Sequence, residues 1–108
     1  MTTEKPGTAG AVLIRALEPL KGIREMERRR GTTEVRNLTS GPGKLTKALG
    51  IDGSFNGEDV VTSKRLYVPR GESAGGIGSS SRIGISHGLE QQWRFFVKGN
   101  RHVSRGNA

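Results

Sequence analysis

SGPGKLTKALGI, residues 40–51, joins a glycine turn to a helix-patterned run and decides how the middle of the chain folds. Gly41 and Gly43 flank Pro42, and Lys44 follows. The spacing predicts a short helix over 44–49. Leu45, Ala48 and Leu49 share one face, and Gly50 can take the left-handed conformation that ends a helix. At the other end, Gly41 and Gly43 let backbone N–H groups approach a ligand closely, and a helix N-terminus favours an anion. Lys44 and Lys47 add positive charge. The stretch is thus either an ordinary helix start or a generic seat for a phosphate. It is not a Walker A loop: no glycine stands five positions before Gly43, and Leu45 follows the lysine where Ser or Thr is required. It is not G-x-G-x-x-G either, because Thr46 occupies the last glycine position.

Upstream, LKGIREMERRR (20–30) reads as a second short helix, with Leu20, Ile23 and Met26 at helical spacing. Arg28, Arg29 and Arg30 fall near its C-terminus, where cations favour the helix dipole. AVLIRAL (11–17) is the most apolar run and reads as a buried strand ended by Glu18-Pro19. Arg15 interrupts it, and an unpaired charge in a buried strand is very costly. The residues alone leave two roles open: an ion pair with Glu18 or another carboxylate, or a guanidinium directed into a polar site. GTTEVRNLTS (31–40) reads as a loop, and the sequon at Asn37-Leu38-Thr39 carries no weight without a secretion route.

Downstream, residues 52–57 read as a turn and Leu66-Tyr67-Val68 as a short strand stopped by Pro69. RGESAGGIGSSS (70–81) reads as a flexible surface loop, RIGIS (82–86) as an alternating strand, and WRFFV (93–97) as a stronger one. Trp93, Phe95 and Val97 alternate and read as core rather than as a stacking platform. Gly99-Asn100 makes a turn, and residues 1–6 and 105–108 read as tails. GISHG (84–88) matches the nucleophile elbow G-x-S-x-G, but no Asp lies beyond Asp59 and only 20 residues follow Gly88, so the match is fortuitous.

The 108 residues suffice for one small domain, and only 31% are hydrophobic against 17 glycines, so the core is thin. With 18 Lys+Arg against 10 Asp+Glu the net charge is +8, a field that attracts polyanions and favours nucleic acid as partner. The absence of cysteine excludes disulfides and thiolate metal sites and suits a reducing cytosol. His87 and His102 have no zinc-site spacing. No apolar run approaches the ~20 residues of a membrane span, and MTTEKPGTAG lacks the features of a secretory signal. A cytoplasmic or nucleoid-associated location is expected. Spacing nominates no carboxylate as general acid or base.

Read together, GTAGAVLIRALEP, SGPGKLTKALGI, FNGEDV, SRIGIS and WRFFVKGNRHVS, in this order from Gly7 to Ser104, closely resemble the C-terminal half of the alkyladenine (3-methyladenine, methylpurine) DNA glycosylase family. The resemblance implies an α/β fold of the α+β type, a single domain with a curved antiparallel sheet and short helices, of which residues 1–108 form one C-terminal portion. It implies flipping of an alkylated or deaminated purine from double-stranded DNA and hydrolysis of its N-glycosidic bond, with no metal and no cofactor. It places the catalytic glutamate, the tyrosine wedge and the pocket walls in the preceding half. No catalytic general base is therefore expected in this chain, and the chain alone is expected to be inactive.

By the same resemblance Arg15 is a supporting residue that orients the missing general base and the water. Leu13 shares its side of the strand near the flipped base. Ser40, Gly41, Gly43 and Lys44 cradle DNA phosphates, and Arg82 and Ser86 lie near the DNA. Three outcomes stay open: a glycosylase that needs its preceding half in trans, a non-catalytic basic DNA-binding remnant, and a chain with bare hydrophobic sheet edges.

Overall fold

In the computed structural model the described residues are 1–71, 75–83, 87 and 90–103. Among them, two α-helices and a two-stranded antiparallel sheet make a small mixed α+β arrangement. The chain divides into two compact units, Met1–Ser54 and Phe55–Ala108.

The first unit is built on two eight-residue helices, α1 (Ile23–Arg30) and α2 (Pro42–Leu49). Gly22 (φ 72°) opens α1 and Gly31 (φ 69°) closes it, both in the left-handed region that only glycine enters without cost. The expected helix therefore starts after Leu20, which falls outside it and is exposed. α2 starts two residues earlier than its apolar pattern, because Pro42 is pre-set for the first helical position. It ends where expected. Gly50 (φ 70°) donates to Lys47 O and Ile51 N–H to Thr46 O, a Schellman arrangement. The apolar faces of the helices meet over a core of Met26, Leu38 and Ala48, flanked by Ile23 and Leu49. Leu38 comes from the connecting segment, expected as a loop, which contains a 3₁₀ turn at Val35–Asn37.

The apolar run 11–17 forms no strand. Its start is paired to the N-terminus by one bridge, Thr2↔Ala11, with Val12 N–H on Met1 O and Thr3 N–H on Gly10 O. The first residues, expected as a tail, thus fold back on the run. Its other end is pinned at Leu17, whose N–H donates to Thr39 O and whose carbonyl accepts from Thr39 Oγ1 at 2.6 Å. Val12, Leu13, Ile14 and Leu17 are exposed rather than buried, because no second strand flanks them among the described residues.

In the second unit β1 (Ile77–Ser80) pairs antiparallel with β2 (Arg94–Val97), in a register that sets Gly78 opposite Phe96. β1 lies inside the glycine- and serine-rich stretch expected as a loop. A Cβ at Gly78 would come within 2.7 Å of the Phe96 ring, so the side chain of one strand needs the bare backbone of the other. Leu66–Val68 forms no strand; Leu66 N–H donates to Ser63 Oγ and Val68 N–H to Val60 O. The RIGIS expectation falls largely on residues 84–86, outside the described ones. Among the described residues no helix is long and apolar enough to cross a membrane.

Candidate nucleic-acid interface

Ser40, Gly41, Gly43 and Lys44 come together at the start of α2. Pro42 has no N–H, and the first helical hydrogen bond to the preceding turn is Leu45 N–H to Gly41 O, at 2.8 Å. The N–H groups of Gly43 and Lys44 have no partner among the described residues. Two free donors therefore sit at the positive end of the helix dipole. Gly41 is extended (φ 167°), a conformation open to any residue, and supplies no side-chain cap. A Cβ on Gly43 would meet nothing within 4 Å, so internal packing does not require a glycine there.

Lys44 is exposed, and its Nζ donates to Asn37 Oδ1 at 2.7 Å. That bond ties the lysine to the 3₁₀ turn beside the helix start. Lys47 is one turn further along and also exposed. Asn37 was legible in the sequence only as part of a sequon. Seven positions separate it from Lys44, and a contact that depends on a folded turn has no local signature.

The triple arginine is structural in two of its three members. Arg29 Nη1 donates to Ala48 O at the C-terminal end of α2 (3.0 Å), and its guanidinium lies over Gly50, where a Cβ would be 3.2 Å from Cζ. Arg30 donates through Nε to Leu38 O and through Nη2 to Asn37 O, at 3.1 and 2.9 Å. Arg28 instead pairs with Glu25 on the exposed face of α1. Its hydrogen bond, and then its charge, hold the Glu25 carboxyl below its ordinary value, and Arg28 is raised in turn.

Leu13 and Arg15 are both exposed on the run 11–17. Arg15 has neither hydrogen bond nor ion pair among the described residues, so the pairing with Glu18 that the sequence left open is not made. The anchor between Leu17 and Thr39 brings the end of this run to the residue that precedes Ser40. Arg82 is exposed and belongs to the second unit, and Ser86 lies outside the described residues. In the second unit Arg94 stacks over Phe96 at 4.6 Å and donates to Ser80 Oγ, while Arg65 stacks over Phe55 at 3.9 Å. These two arginines are engaged within the fold. Trp93 and Phe95, expected as core, are exposed on one side of the hairpin.

Comparison with known proteins agrees with the resemblance. The model of the Methylpurine-DNA glycosylase (MPG) family matches residues 1–101. A protein of Salinibacter ruber is 47% identical over 106 residues, covering 96% of this chain and 51% of its own length. One of Chlorobium phaeovibrioides is 46% identical over 111 residues, covering 98% and 55%. One of Carboxydothermus hydrogenoformans is 46% identical over 101 residues, covering 92% and 53%. Each bears the name "Putative 3-methyladenine DNA glycosylase". The chain spans about half the length of these curated relatives.

Proposed function

Because the chain belongs to the methylpurine-DNA glycosylase family, we propose that it serves excision of alkylated purines from double-stranded DNA as the DNA-gripping half of the enzyme. The match over residues 1–101 carries this reading. The net charge of +8 and the two unpaired amides beside Lys44 support it. In the proposed reaction water adds to C1′ of the flipped nucleotide, the bond from C1′ to the purine nitrogen breaks, and its electron pair leaves with the base. Alkylation has already weakened that bond, so one general base acting on the water suffices. That base is a glutamate supplied by the preceding half. Arg15 orients it and the water, Leu13 lines the base pocket, and Arg82 and Ser86 add contacts to DNA. The phosphates rest on Ser40, the N–H groups of Gly43 and Lys44, and the Lys44 ammonium.

Two measurements test this. Gel-shift titration with duplex DNA is expected to give affinity that falls with salt. Lys44→Ala should weaken binding alike for all sequences and reduce the salt slope by about 1. Unchanged binding removes the phosphate seat. In a base-release assay on methylated duplex the chain alone should free no 3-methyladenine, and multiple turnover by the chain alone would refute the assignment of the general base to the other half.

A further inference from the structure

Lys44 is held by a neutral group. Its Nζ donates to Asn37 Oδ1 at 2.7 Å, whereas Arg28 meets the Glu25 carboxylate and Arg65 the Glu58 carboxylate. A carboxylate partner offsets the charge of a cation. An amide oxygen orients the ammonium and leaves its charge intact, and the ammonium keeps further N–H donors for a second acceptor. Asn37 is itself fixed on both sides. Its N–H donates to Glu34 O at 2.9 Å, and its carbonyl accepts from Arg30 Nη2 at 2.9 Å. Arg30 Nε holds the next carbonyl, Leu38 O, at 3.1 Å. Leu38 and Thr39, which follow, are fully buried. The Asn37 side chain thus projects from a pinned backbone, and its oxygen sets where the Lys44 head stands.

We infer that Asn37 is a positioning residue for the phosphate seat. It holds the Lys44 ammonium in place, charge intact, for a phosphodiester oxygen of the DNA backbone, and Arg30 secures Asn37 in turn. A lysine head sits on a long flexible stem. Ordering such a side chain on binding costs entropy, and a bond made before binding removes part of that cost. The bond spans seven positions and joins the 3₁₀ turn to α2, so it exists only in the folded first unit. The inference rests on the proposed phosphate seat and deepens it with residues outside the run 40–44.

The test measures binding of the 108-residue chain to an unmodified DNA duplex by fluorescence anisotropy over a range of salt, with thermal melting of every variant. Asn37→Ala is expected to weaken binding by about 3- to 10-fold, the effect of ordering one long side chain. The salt slope should stay unchanged, because Lys44 keeps its charge. Asn37→Asp keeps the shape but pairs the ammonium with a carboxylate, and should reduce the slope by about 1, as removal of Lys44 does. In a Lys44→Ala background Asn37→Ala should have no further effect. An equal loss with and without Lys44 overturns the inference, since Asn37 would then act on DNA or on the fold by itself. So does unchanged affinity in Asn37→Ala where Lys44→Ala weakens binding; the seat then stands without Asn37. Where Asn37→Ala fails to melt cooperatively, Asn37→Asp decides, and an unchanged slope overturns the inference. If Lys44→Ala binds as the unaltered chain does, the phosphate seat itself falls and the inference with it.

Discussion

Arg28, Arg29 and Arg30 are chemically identical and do three different things. Arg30 caps two carbonyls of the connecting segment from a half-buried position, and a hydrogen bond from a charged donor contributes about 1.5–3 kcal/mol. Arg30→Ala should lower stability by that order in urea unfolding, because Asn37 O and Leu38 O lose their donor. Arg28→Ala should leave the midpoint unchanged, since its pair with Glu25 is fully exposed and screened. The sequence placed all three near a helix C-terminus, which is correct. It could not separate them. Which arginine faces the neighbouring helix depends on how α1 and α2 are packed.

At the scale of elements, legibility tracked how local the cause was. The end of α2 was readable because Gly50 and the preceding apolar spacing suffice to specify it. The end of α1 at Gly31 obeys the same rule. β1 was not readable: glycine and serine read as loop, and Gly78 makes sense only once Phe96 is set opposite. The run 11–17 failed in the other direction. Its apolar pattern is that of a strand, but a strand needs a partner and composition cannot supply one. The grouping of Ser40, Gly41, Gly43 and Lys44 was legible because they are contiguous, whereas Asn37, which holds the lysine, was not.

Gly43 separates stability from function within α2. Its surroundings are open and it lies inside the helix, so Gly43→Ala should raise stability by about 0.5–1 kcal/mol in thermal unfolding. The added methyl would also stand beside the amides proposed to meet a phosphate, so DNA affinity should fall. Opposite signs support the seat. Higher stability with unchanged affinity would mean that α2 merely starts there.

For the molecule as a whole, the balance is charge without much core. The buried apolar residues of the first unit are few, yet Val12, Leu13, Ile14 and Leu17 stay in water. In the second unit the hairpin likewise leaves Ile77, Trp93 and Phe95 exposed.

The open span between Val12 and Leu17 also sets where a protease meets the chain. Proteases need a backbone they can draw out of the fold, and Arg15 stands exposed in a segment, Leu13–Ala16, whose backbone makes no hydrogen bond among the described residues. Trypsin under limiting conditions should cut first after Arg15, before the arginines of α1, where the backbone is helical. Resistance to protease would then be set by one peptide bond, Arg15–Ala16, rather than by the melting of either helix.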